Sequence, residues 1–86
     1  MSPLLVRASS GMCAAVAGEI ARHWREHGTC PSKDEIAAAV NYAPRTVRNT
    51  LAWMSAKGLL VRVGWGTYMT PEDYRAAIQA IRGGDA

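Results

Sequence analysis

Apolar residues recur at helical spacing from about Ser10 to His27. Cys13, Val16, Ala17, Ile20, Trp24 and His27 fall on one side of this segment, and Glu19, Arg22, Arg25 and Glu26 fall mostly on the other. The pattern predicts a first long helix stopped by Gly28. A second, shorter helix opens at Ser32, where Ser32 and Glu35 have capping-box spacing after Pro31, and it continues through Ile36 and three alanines to Val40. Asn41, Tyr42 and Ala43 make a three-residue connection. Pro44 suits the first position of a third helix, because the N–H it lacks would be unpaired there in any case, and this helix should end before Gly58.

Counting about 100° per residue along the third helix places Val47, Thr50, Leu51 and Met54 on one face and Arg45, Arg48, Asn49 and Ala52 on the other. The first set is a core face. The second carries two guanidiniums, one carboxamide and a small residue that permits close approach, which is the make-up of a reading face. Leu59 to Val63 is β-branched and alternating, Gly64, Trp65 and Gly66 make a tight turn, and Thr67 to Met69 returns, so a short hairpin is expected. A last helix starts with Thr70 as its cap and Pro71 at its first position. Its first turn holds Glu72 and Asp73, where the helix dipole favours them, it should bury Tyr74, Ala77, Ile78 and Ile81, and Gly83 and Gly84 should end it.

With 86 residues the chain lies below the common domain size of roughly 100–150, so one domain is expected over 1–86. Its parts are an N-terminal arm (1–9), a two-helix unit (32–58), the hairpin (59–69) and a C-terminal helix (71–82). Hydrophobic residues make up 49% of the chain, but fifteen of them are Ala, so short side chains must pack closely in a helical core completed by Leu, Ile, Val, Met and Trp. No apolar run approaches the roughly 18 residues of a membrane span. The apolar stretch Pro3 to Val6 is too short for the core of a secretory signal. Two cysteines, Cys13 and Cys30, are too few for a disulfide framework and read as buried thiols, so a cytoplasmic location with no membrane partner is expected.

The net charge of +3 is less informative than its distribution. Residues 1–35 balance to zero. From Ile36 to Pro71 the chain carries Arg45, Arg48, Lys57 and Arg62 and no Asp or Glu. A long acid-free basic stretch suits a surface that faces phosphate, since a carboxylate there would repel a nucleic-acid backbone. Arg pairs with guanine O6 and N7, and Asn with adenine N6 and N7, which gives Arg45, Arg48 and Asn49 base-reading chemistry. Thr46 and the N–H groups at the start of the helix suit phosphate, because a helix N-terminus attracts anions. Trp65, set between two glycines, needs a surface: a sugar edge, a groove, a partner subunit or the chain's own core. Trp24 and Trp53 read as packing residues.

Other chemistries fit poorly. His23 and His27 stand four residues apart, with Glu26, Cys13 and Cys30 in the same region, but no Glu follows the first His directly and no Cys pair has ribbon spacing, so no metal is expected. His27 suits the negative end of its helix, and Cys13 fills core. There is no glycine-rich phosphate loop or nucleophile elbow, and the seven carboxylates lie in caps or on helix faces. The chain is not expected to be an enzyme, and no cofactor is expected.

The order helix, helix, three-residue turn, helix, hairpin is that of a winged helix-turn-helix: mainly α, with a three-helix core, a two-stranded wing and a C-terminal helix. The second helix would brace the third, Ile36 and Val40 meeting Val47 and Leu51, so that the polar face of helix 44–57 enters a major groove. Three stretches, Pro31-Ser32-Lys33-Asp34-Glu35-Ile36-Ala37, Arg45-Thr46-Val47-Arg48, and Lys57-Gly58-Leu59-Leu60-Val61-Arg62 with Gly64-Trp65-Gly66-Thr67-Tyr68, resemble the GntR-type DNA-binding domain over roughly Pro31 to Met69. The resemblance implies that Arg45, Thr46 and Arg48 contact DNA and that the wing tip bounded by Gly64 and Gly66 approaches the minor groove; Lys57, Arg62, Trp65 and Thr67 are expected to add DNA contacts. That family carries a large effector domain. Here only residues 70–86 follow the wing, so no small-molecule effector is expected.

The expected function is sequence-specific binding of double-stranded DNA as a small transcriptional regulator, a repressor or autorepressor. The alternative is a winged-helix adaptor or assembly subunit whose Arg face meets an acidic protein. A single module buries roughly 600–1,000 Å² on DNA, so a homodimer on a pseudo-palindrome is expected. Its contacts would come from the first helix, the last helix or the strand-like Pro3 to Arg7.

Overall fold

The computed structural model describes residues 10–84, so the N-terminal arm, with its strand-like Pro3 to Arg7, lies outside the described residues. The chain is mainly helical with one two-stranded antiparallel sheet: α1 (Ser10–His27), α2 (Lys33–Val40), α3 (Pro44–Ala56), β1 (Val61–Gly64), β2 (Thr67–Met69) and α4 (Pro71–Gly84).

Local chemistry accounts for the helix ends. Gly28, at φ +70°, closes α1 with its N–H on the Trp24 carbonyl. The capping box forms at α2: the Ser32 side chain accepts from the Glu35 N–H at 3.1 Å, and the Glu35 carboxylate accepts from the Ser32 N–H at 2.8 Å. Asn41 ends α2 in the left-handed region at φ 62°, a conformation that Asn tolerates better than most residues. Beyond α3, Leu59 N–H reaches the Met54 carbonyl and Gly58 N–H reaches that of Ser55, the paired bonds of a Schellman motif with Gly58 at φ +78°.

The core is assembled from α1, α2, α3 and one residue before the hairpin. Val16, Ile20, Ile36, Ala37, Val47, Leu51, Met54 and Leu60 are buried, with Cys13, Ala17, Trp24, Val40, Trp53 and Tyr68 partly buried against them. The four buried residues of α3 are the core face that the spacing predicts. Thr50, the polar member, donates its hydroxyl to the Thr46 carbonyl at 2.8 Å, which satisfies it inside the core.

Several expectations need correction. The first strand begins at Val61 rather than Leu59, because Gly58 and Leu59 are consumed in closing α3 and Leu60 is buried in the core, and it extends through Gly64. Trp65 and Gly66 alone turn the chain, with Gly66 at φ +60° and an irregularity in pairing between Arg62 and Gly64. His27 stands in the last turn of α1 as expected, exposed, with its ring 4.5 Å from that of His23. Cys13 and Cys30 are free and half-buried rather than buried. Burial still pushes both thiols up.

The largest departure is α4. Thr70 caps it as expected, accepting from the Asp73 N–H at 3.2 Å, but the helix runs on through Gly83 and Gly84, since glycine weakens a helix without forbidding it. Its apolar side is not buried as expected. Tyr74 and Ile81 are exposed, and only Ala77 and Ile78 are half-covered, because the core closes over α1, α2 and α3 without reaching α4.

Candidate nucleic-acid interface

Burial of Val47, Thr50, Leu51 and Met54 fixes the rotation of α3 and leaves Arg45, Arg48, Asn49 and Ala52 exposed on its outer face. Thr46 is half-buried and gives its carbonyl to Thr50. Ala43 supplies no side-chain cap at the start of α3, so no side-chain acceptor occupies the first-turn N–H groups of Arg45 and Thr46. They stand at the positive end of the helix dipole.

The hairpin is held to the helices through the backbone of Tyr68. Trp24 Nε1 donates to the Tyr68 carbonyl at 2.7 Å, and the Tyr68 N–H donates to Cys30 Sγ at 3.2 Å. These bonds occupy main-chain groups of β2 that β1 does not pair, and they tie the hairpin to α1 and to the α1–α2 connection. At the tip, Thr67 donates its hydroxyl to the Trp65 carbonyl at 3.0 Å, which stiffens the turn.

Trp65 does not fold back onto the core: it is 92% exposed, and its ring partner among the described residues is the Arg62 guanidinium, 5.1 Å from the ring centroid. One face of the indole is thus occupied by a cation. The Arg62 Nε also reaches the Gly64 carbonyl at 3.4 Å.

Arg48 is brought together with the hairpin and with the start of α2. An open groove of about 410 Å³ runs between Ser32, Lys33 and Asp34, then Arg48 and Leu51, then Gly66 and Tyr68. Lys33 and Tyr68 are members of this surface that the sequence reading missed. Lys33 lies just outside the acid-free stretch, and no spacing rule relates α2 to β2. Asp34 places one carboxylate on the same wall. Lys57 stands apart from these residues: twelve positions after Arg45, it lies about 18 Å away along α3 at 1.5 Å per residue, with its ammonium 6.0 Å from the Trp53 ring.

Among the described residues no group of three or more His, Cys, Asp or Glu is placed to hold a metal ion, and no helix is long and apolar enough to cross a membrane. Comparison with family models, with curated proteins and with solved structures gives no match.

Proposed function

We propose that the chain is a winged helix-turn-helix protein, similar to the GntR-type DNA-binding domain, that binds double-stranded DNA sequence-specifically as a small transcriptional repressor or autorepressor. In this reading α3 enters the major groove with Arg45, Arg48 and Asn49 toward base edges. Thr46 and the uncapped start of α3 take phosphate, and the hairpin follows the flanking backbone with Arg62, Trp65 and Thr67. Lys57 meets the backbone at the far end of α3. The observation that carries this reading is the exposed, acid-free outer face of α3, whose Arg48 lines a groove shared with the hairpin and the start of α2. Two copies acting together would read a pseudo-palindrome.

The test is a fluorescence-anisotropy titration of the protein against a random duplex and against the region upstream of its own gene, each at two salt concentrations. Tight, salt-steep binding that favours the upstream region is expected. Absence of binding to either duplex at low salt would overturn the proposal in favour of the protein-adaptor reading, with Trp65 the first contact residue to replace.

A further inference from the structure

We propose that Trp65 and Arg62 form a stacking site for one nucleobase at the tip of the hairpin, and that Trp65 stacks there on a base of the bound duplex, at a step opened toward the minor groove. This rests on the DNA reading above and changes the part Trp65 plays in it, from following the backbone to holding a base.

The tip holds an indole away from the rest of the molecule. Trp65 is exposed, glycines stand on either side of it, and its turn is fixed by the bond from the Thr67 hydroxyl to the Trp65 carbonyl. The flanking glycines put no side chain in the way, so the tip is narrow enough to present the ring to a minor groove about 6 Å wide.

Arg62 and Trp65 are three positions apart and would point to opposite faces of a regular strand. Pairing skips Val63, since Arg62 lies opposite Tyr68 and Gly64 opposite Thr67. This extra residue lets the two side chains meet, with the guanidinium 5.1 Å from the ring centroid. One indole face is therefore covered by a cation and the other is open. Arg62 turns its Nε to the Gly64 carbonyl and pairs with no carboxylate among the described residues, so its terminal nitrogens are left for a phosphate.

Charge and stacking together name the occupant. A protein pocket that took the indole would also have to bury the guanidinium beside it, at a cost that only a matched acid offsets. A nucleobase takes the open face by stacking while the adjoining phosphate meets the guanidinium, so neither group is left without a partner. No Asp or Glu from Ile36 to Pro71 opposes that phosphate. Because only one face is open, Trp65 caps one base rather than sliding between two, and the step opens only in part.

The test follows the emission of Trp65, taken as the difference between the native protein and Trp65→Ala, during titration with a random duplex and with a single strand of the same sequence. The duplex should quench this emission as it binds. Trp65→Ala should weaken duplex binding about tenfold with its salt slope and the melting temperature unchanged, since the ring is exposed and a stack releases no counterion. Trp65→Tyr should restore binding to within about threefold and Trp65→Leu should not, because stacking needs a flat ring and not just an apolar surface. Arg62→Ala should make the salt slope shallower by about 0.9. A bound duplex that leaves the emission unquenched, or that binds Trp65→Ala equally well, would overturn the stacking site and leave the DNA reading standing. No duplex binding by the native protein would overturn both. Equal rescue by Trp65→Leu and Trp65→Tyr would overturn stacking in favour of plain apolar contact. Quenching by the single strand alone would overturn the opened duplex step.

Discussion

Arg45 and Arg48 differ from Leu51 in what they touch, and this separates binding from stability. The two arginines are exposed and form no ion pair among the described residues, so Arg45→Ala and Arg48→Ala should each weaken specific DNA binding by about 1–3 kcal/mol while leaving the melting temperature unchanged. Leu51 is 5% exposed and packs into the core from the same helix, so Leu51→Ala should cost about 2–5 kcal/mol of folding stability through the cavity it leaves. Paired thermal melts and anisotropy titrations check both outcomes. Glu35 is sensitive to pH. The Ser32 N–H holds its carboxyl below the ordinary value of 4.5, the His23 and His27 charges act in the same direction, and partial desolvation opposes them. A carboxylate whose pKa is lowered on folding stabilises the native state above its unfolded pKa, and that contribution is lost as pH falls through the lower folded value. The stability advantage of the native protein over Glu35→Gln should therefore shrink as pH drops below 4.5 in denaturant melts.

At the scale of elements, position depends on bonds between distant parts of the chain. The hairpin is fixed on one side by Trp24, 44 residues earlier than Tyr68, and on the other by Cys30. Trp24→Phe keeps a ring of similar character and removes the indole donor. It should lower stability by about 0.5–1.5 kcal/mol for the lost hydrogen bond. The effect should be local: hydrogen exchange should quicken at the amides of β1 and β2 while those of α3 retain their protection. Equal loss of protection across α3 would show that Trp24 supports the core rather than the hairpin. The element boundaries were legible in sequence because their signals are local: the Ser32–Glu35 box, Pro44, Gly28 and Thr70 each act within one turn. The start of β1 was not, because Leu59 and Leu60 look like strand but Leu59 is spent in closing α3 and Leu60 in filling the core.

For the whole molecule, the four cations between Ile36 and Pro71 set how binding should respond to salt. If all four meet phosphate, the slope of log affinity against log salt should be about −3.6 for one chain and about double for a pair, measured by anisotropy across a salt series. A slope near zero would remove phosphate contact, and with it the DNA reading. Legibility was uneven at this scale. The outer face of α3 followed from periodicity alone, since burial of Val47 and Leu51 dictates where Arg45 and Arg48 point. The meeting of Lys33, Arg48 and Tyr68 along one groove did not, because it depends on how three elements are set against one another.

The sequence by itself determined the order and type of the elements, the capping of α2 and α4, the core face of α3 and the absence of acid from Ile36 to Pro71. Each of these is written in spacing or in residue chemistry within a few positions. Tertiary structure alone decided that the hairpin hangs from Trp24 and Cys30, that Trp65 stands in solvent beside Arg62, and that α4 keeps its apolar stripe uncovered. The physical reason is that amphipathic spacing states which side of a helix needs cover. What supplies that cover depends on the space left by every other element, and here the core formed by the described residues closes before it reaches α4.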